Sequence, residues 1–464
     1  VVVVPAGPIS LVPNAATEDF TLDVLGNVYE SLVDLDPTLR LGPGLADSWY
    51  TLEDGTWVFR LRPGVRWHDG RPLVAQDVAD SLNRTRAEHE SDLGPELGSI
   101  QGVTAPDPST VLIKAAPSFE ALPLRLANVF ISRQDAGGAP VGTGPYTLAS
   151  SGPDLFKLEA FPDYDRGLPA VKTALFRVVP AVDDGLAMAE RGSADLVVDV
   201  RPDDVVRMRG RLNIRSLGGL RVFFLVLSCR DEAGNPFRDP RVRRAVAAAI
   251  DRASLVRRMA GYAQAVRRIA SREELGGNTP DLPTPALDLG RAREWLKQAG
   301  YPRGFEVDLD TAEKYVGLSG VLPELERQLG TLGILVRPKP HPSEAFVDLV
   351  KSQRSRMYLM GWLSDVGDSR VSYEDLLHSR TGGLGVYNGG AYADPEADRL
   401  IETAARTASV EGLDVLLDEL DEKLAADVPV VPLFRQDDLY AVSPRLDWSP
   451  RLDRRVRIRE ARLR

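Results

Sequence analysis

One octapeptide concentrates side chains suited to non-covalent recognition: Gly361-Trp362-Leu363-Ser364-Asp365-Val366-Gly367-Asp368. It follows a short apolar run, Met357 to Gly361, with the composition of a buried strand. In open α/β sheets, ligands sit at the carboxyl ends of strands. An indole there supplies apolar contact area, and a carboxylate pairs with an ammonium or a guanidinium. The competing reading is a strand-end turn that only exposes its acids, and periodicity does not separate the two.

Other motifs carry less. His68-Asp69 has the look of a metal-ligand pair, but two ligands do not make a site, and a β-turn tip is the better reading. His89, His341 and His378 are scattered singly, with no HxxxH or HExxH pair, so no metal and no cofactor is expected. Val141-Gly142-Thr143-Gly144-Pro145-Tyr146 resembles a phosphate loop but lacks the Lys-Ser/Thr ending, which leaves a tight turn. In the glycine-rich stretch Gly382 to Gly390, Tyr387 and Asn388 are candidate ligand contacts against the background of a plain surface loop. Asn14, in the loop before the first helix, joins the candidate set. Cys229 follows an apolar strand, where a buried inert thiol is the default. No GxSxG elbow occurs.

The elements that must position these residues form two kinds of segment. Val1 to Val4 reads as a strand and Thr17 onward as a helix, with Glu18 and Asp19 in its first turn. Residues 41–149 are strand-rich with short connections. Pro43-Gly44 turns into a short capped segment ending at Trp49, Thr56 to Leu61 alternates as a strand, and Ala75 to Glu88 is a helix. Thr110 to Lys114 is another strand, a loop surrounds Gly94-Pro95, and a short helix spans Phe119 to Leu126. Such a pattern is an α+β module rather than a βαβ series. A β/α rhythm follows, with strands at Phe156 to Ala160, Ala174 to Val179 and Asp195 to Val200. Leu220 to Leu227 is almost wholly apolar and reads as a buried central strand. From Pro240 to Met259 the sequence predicts one long helix, and from Asp288 to Gly361 helices alternate with strands. Helices beginning at Asp394 (to about Ala408) and Glu411, then a strand at Pro429 to Phe434, complete an α/β unit.

At 464 residues the chain exceeds a single simple core, and two or more domains are expected. Its 43% apolar and 27% charged content is that of a soluble globular protein. A net charge of −10 argues against nucleic acid as a partner. No run of eighteen apolar residues is present, so no transmembrane helix is expected. A lone cysteine excludes an internal disulfide framework.

Read in order, YESLVDLDP, PGLADSW, EDGTWVFRLRPGVRWHDGRPLVAQDV, VTAPDPSTVLIK, PVGTGPY, DPRVRRAVAAAIDRASLV, AREWLKQAGYPRGFEVDL, LERQLGTLGILV, GWLSDVGD and YADPEADRLIETA resemble the family 5 extracellular solute-binding proteins, the peptide, nickel and oligopeptide receptors of ABC importers. The resemblance spans nearly the whole chain. It implies a two-lobed periplasmic-binding-protein fold of type II, α/β in class, with a central ligand cleft and an α+β subdomain inserted in the first lobe. The implied division is lobe I at 1–40, the insert at 41–149, lobe I again at 150–226, lobe II at 227–434 and a return to lobe I at 435–464. Crossovers are expected near Leu225–Ser228 and Leu433–Gln436. It further implies a monomer outside the cytoplasm, free or lipid-anchored, whose partners are a small-molecule or oligopeptide ligand and the permease subunits of an ABC importer. GWxxDxGD resembles the dipeptide-binding members, in which its first Asp holds the ligand's α-amino group; that role maps onto Asp365. Those members carry an Arg after the strand equivalent to Phe305 to Asp310. Here the stretch reads Asp310-Thr311-Ala312-Glu313-Lys314-Tyr315, so only Lys314 can substitute, without bidentate geometry.

Two other classes remain open. An oligosaccharide or other non-peptide solute could use Asp365 and Trp362 differently. A hydrolase could use Asp365, Asp368 or Glu374 as acid and base, although no nucleophile or metal constellation accompanies these acids.

Overall fold

Val222–Leu227 is buried at every residue, as its unbroken apolar composition demands. In the computed structural model of the chain it is hydrogen-bonded on both edges, antiparallel to Met357–Trp362 on one side and Val430–Gln436 on the other. The structure describes residues 1–15, 19–87, 93, 97, 100–115, 122–208, 210–270, 285–315, 318, 320–363, 368–407 and 410–464. Thr17, Glu18, His89, Gly94-Pro95, Phe119, Asp365 and Ala408, all named above, lie outside the described residues.

The chain packs as two units. The first comprises Val1–Val200, Arg207–Leu217 and Asp438–Arg464. The second comprises Arg201–Val206 and Gly218–Asp437. The strand Val222–Leu227 therefore belongs to the second unit, and the passage expected at 226/227 falls at Leu217–Gly218. The reason is pairing: both its neighbours in the sheet are second-unit strands.

The first unit carries a seven-stranded sheet in the order Tyr146–Ser151, Leu155–Ala160, Thr173–Val178, Val2–Val4, Leu196–Val197, Asp438–Val442, Asn213–Leu217. Val2–Val4 pairs in parallel with both its neighbours. Asp438–Val442 is a strand the sequence reading passed over, because its acidic start hides a run that is buried from Leu439 on. The strand expected over Asp195 to Val200 shrinks to Leu196–Val197, since Asp199 takes a left-handed conformation at φ 56°. A separate core lies within this unit around the sheet Ala46–Thr51, Thr56–Leu61, Thr110–Ala115 and Ile100–Asp107, and Trp67 is completely buried in it. The segment ending at Trp49 is thus a strand, antiparallel to Thr56–Leu61.

The Val141 to Tyr146 turn is stitched inside the first unit rather than left with free donors. Gly144 N donates to Val28 O at 2.9 Å and Tyr146 N to Asn27 O at 3.1 Å. A Cβ on Gly142 would stand 2.2 Å from Val28 O, so glycine is required by the close backbone approach. The arginine-rich tail is spent on intramolecular pairing. Arg454 pairs with Asp19 at 2.6 Å and Asp438 at 3.0 Å, and Arg451 with Asp453 at 2.7 Å and Glu460 at 2.8 Å.

The second unit carries a six-stranded sheet in the order Ala263–Ala265, Val430–Gln436, Val222–Leu227, Met357–Trp362, Glu306–Ala312, Leu335–His341. Glu306–Ala312 runs parallel to both its neighbours. The helix expected from Pro240 to Met259 is two helices, Pro240–Ala248 and Arg252–Arg258. Asp251 breaks it: its carboxylate caps the second helix by accepting from Ser254 N at 3.0 Å, while its own N–H donates to Gln328 Oε1 at 2.8 Å. Among the described residues no helix is long and apolar enough to cross a membrane.

Asp23, on the helix Asp19–Leu25, makes stability depend on pH. It accepts from Val456 N at 2.7 Å, yet burial pushes its carboxyl up to about 7 from an ordinary 3.8. Between those values the unfolded chain holds fewer protons than the folded one, so stability falls as pH rises through the window and levels off above it. Thermal unfolding followed by circular dichroism should show the midpoint declining over that range. Asp23→Asn should flatten the decline; an unchanged slope would show that Asp23 does not set it.

Candidate functional site

The strands Glu306–Ala312, Met357–Trp362 and Val430–Gln436 all run in one direction, so their carboxyl ends share one margin of the second unit's sheet. Aromatic side chains gather there. Past Ala312 the backbone tightens into the 3-10 turn Glu313–Tyr315. This turn brings the Tyr315 hydroxyl to donate to Gly361 O at 3.2 Å. The Tyr315 ring stands edge-on to Phe223 at 5.2 Å, and Phe223 stacks on Phe434 at 5.1 Å. Gly361 is required by this packing: a Cβ there would meet the Phe223 ring at 2.8 Å and the Tyr315 hydroxyl at 3.1 Å.

One residue on, Trp362 is half-buried. Its Nε1 donates to Ser372 Oγ at 3.0 Å, which fixes the indole against the helix Ser369–Leu377. Its ring meets Tyr387 edge-on at 5.2 Å and 62°. Tyr387 is itself held by its N–H donating to Asp375 O at 2.9 Å, and Lys351 Nζ lies 4.8 Å from its ring centroid. Lys314 is exposed, its Nζ 5.3 Å from the Tyr315 ring centroid. The margin thus presents half-buried aromatic surface beside a solvated cation, a combination suited to apolar stacking plus charge pairing with a bound molecule.

The remaining sequence candidates divide. Asp365 lies outside the described residues. Asp368 is 2% exposed and internally engaged: it caps the helix Ser369–Leu377 through Arg370 N at 3.0 Å and holds the Arg370 guanidinium at 2.7 Å. Asn388 is a strut rather than an open contact. Its Nδ2 donates to His378 O at 2.9 Å and Tyr392 O at 2.7 Å, and its Oδ1 accepts from Tyr392 N at 3.1 Å. Asn14, in the first unit, is likewise buried, with Nδ2 donating to Thr85 Oγ1 and Phe130 O and Oδ1 accepting from Phe130 N. The structure therefore brings Trp362 and Tyr387 together and leaves Asp368, Asn388 and Asn14 as internal fasteners. Tyr315 and Gly361 were missed as partners in the arrangement; an aromatic residue just past a strand end was the available signal.

His68 and Asp69 are structural. His68 Nε2 meets Gly144 O at 2.9 Å, the ring packs edge-on against Phe161 at 5.0 Å, and burial lowers its pKa. Asp69 is taken by Arg71 and Arg133. The Cys229 thiol is pushed up by burial, and its Sγ faces Leu227 O at 3.6 Å. Among the described residues no group of three or more His, Cys, Asp or Glu could hold a metal ion.

The sequence model of the bacterial extracellular solute-binding proteins, family 5 middle, matches residues 40–383. The chain belongs to this family. The glutathione-binding protein GsiB of Pectobacterium atrosepticum is 26% identical over 457 residues, covering 94% of this chain and 88% of that protein. Among solved structures, the periplasmic binding protein DppA of Helicobacter pylori, in complex with the peptide STSA, superposes with a TM-score of 0.84 at 22% identity, covering 100% of this chain and 97% of that one. The substrate-binding protein CtaP of Listeria monocytogenes superposes with a TM-score of 0.86 at 21% identity, over 100% of this chain and 98% of that one. The chain therefore has the mixed α/β fold of the two-lobed periplasmic binding proteins.

Gly361→Ala should test the packing at the margin. Forcing a methyl against Phe223 and Tyr315 is expected to cost about 1–3 kcal/mol in denaturant unfolding and to shift the Tyr315 signals. Unchanged stability would show that the rings give way freely.

Proposed function

We propose that this protein is the extracytoplasmic receptor of an ABC importer and that it captures a peptide-like or amine-bearing solute. The observation that carries the ligand class is the fixed Trp362–Tyr387 pair, with Trp362 in the same octapeptide as Asp365. The indole and phenol rings give side-chain contact area, and Asp365 is assigned to the ligand's ammonium group. Relatives described as glutathione-binding, and a structural neighbour holding the peptide STSA, support a peptide-like ligand. Lys314, exposed and without a planar fork, favours a ligand whose carboxylate is weakly held or absent over a free dipeptide. The receptor binds and releases its solute unchanged, and the ABC permease subunits are its partner. A hydrolytic role for the acids is disfavoured by the engagement of Asp368 with Arg370 and its own helix.

Calorimetry against dipeptides, longer peptides, glutathione, polyamines and oligosaccharides tests the reading. A peptide or amine is expected to bind, with Trp362→Ala weakening it about 10- to 30-fold and Asp365→Asn weakening it most for ligands with a free ammonium. Binding only to oligosaccharides, no binding at all, or turnover of any ligand by the pure protein would overturn it.

A further inference from the structure

At the opposite margin of the same sheet, where Glu306–Ala312 and Met357–Trp362 begin, lies a cavity of ≈ 420 Å³. Its walls carry many charges, and pairing sorts them. On one wall Glu306 is bridged to Arg337 at 2.6 Å and Asp308 to Lys339 at 2.5 Å. Asp310 is tied through one oxygen to His341 Nε2 at 2.7 Å and through the other to Ser355 Oγ at 2.6 Å. Every acid on that wall is thus engaged.

The other wall is different. Glu232 alone faces Arg230 at 3.0 Å and Arg356 at 3.8 Å. Arg354, which also lines the cavity, donates its Nε to Ser352 Oγ at 2.7 Å and has no carboxylate within pairing distance among the described residues. Arg230 Nε is buried without a hydrogen-bond partner. Two guanidiniums therefore share one carboxylate, and the third has none among the described residues. Their backbones are held in place: Ser228 N donates to Arg356 O at 2.9 Å, and the buried Asn235 donates its Nδ2 to Ser228 O at 3.0 Å and Arg230 O at 2.9 Å. A planar guanidinium fork matches a tetrahedral oxyanion, and several forks on one wall supply both charge and donors.

We propose that this cavity binds an oxyanion of the phosphate or sulfate class through Arg354, Arg356 and Arg230. The site is separate from the solute site at the other margin and does not depend on that site's ligand. The anion exists free in solution and as the phosphate of a lipid headgroup, and both present the same chemistry. Occupancy would stabilise the second unit by ordinary linkage.

Titration calorimetry with sodium phosphate, with ionic strength held constant by chloride, reads the site directly. Saturable binding and a raised unfolding midpoint are expected in the intact 464-residue chain. Arg354→Ala should weaken binding at least tenfold, Arg354→Lys less, and the Arg354→Ala/Arg356→Ala pair should abolish it. Arg303→Ala, an exposed arginine outside the cavity, should leave it unchanged. Circular dichroism establishes that each variant folds. Sedimentation with phosphatidylglycerol against phosphatidylcholine vesicles separates the sources: binding to the former that phosphate competes away assigns the headgroup, and phosphate binding alone assigns the free ion. No saturable binding to phosphate, sulfate or phosphatidylglycerol, or binding that the folded Arg354 and Arg356 variants retain, would overturn the proposal.

Discussion

The strand Val222–Leu227 is the constraint on which the second unit depends. Every residue in it is buried and both its edges are hydrogen-bonded, so it can move neither out of the sheet nor along it without exposing apolar area and orphaning backbone groups. A slip by one residue would invert the faces of all six side chains. Its register sets that of its neighbours: Val222 stands opposite both Trp362 and Arg435, and Phe223 opposite Gly361 and Phe434.

The chemistry of the site follows from that register. With Phe223 placed against Gly361, only a glycine permits the approach, and Tyr315 closes over the gap to reach the Gly361 carbonyl. Trp362, the next residue, then projects at the last row of the strand, where the helix Ser369–Leu377 supplies Ser372 to fix its indole. Within the octapeptide, Gly361 and Asp368 pack inward while Trp362 stays half-buried at the strand end. A preorganised aromatic pair loses little side-chain entropy on binding, which is where affinity for a small solute is gained. The opposite margin of the same sheet collects guanidiniums instead, so one rigid scaffold carries two chemically distinct ends.

Much of this was legible in the residues. Thr56–Leu61 is a strand over the residues where alternation puts it. The break at Asp251 was hidden because apolar periodicity continues through it; its carboxylate caps the second helix while its N–H is taken by the distant Gln328. Asp438–Val442 was hidden by the acidic residue at its start, whose pairing with Arg454 no local pattern reveals. In the site, Trp362 was readable from its position after a strand. The diversion of Asp368, Asn388 and Asn14 to internal hydrogen bonds was not, since a capping Asp and a ligand-binding Asp are the same residue until the partners are known.

The central claim is that ligand is held at the carboxyl margin of the second unit's sheet, against the ring pair that the register of Val222–Leu227 positions. A crystal structure of the protein saturated with its tightest-binding solute tests this most directly. The account predicts ligand atoms within about 4.5 Å of both the Trp362 and Tyr387 rings. Ligand bound with neither ring in contact would contradict it.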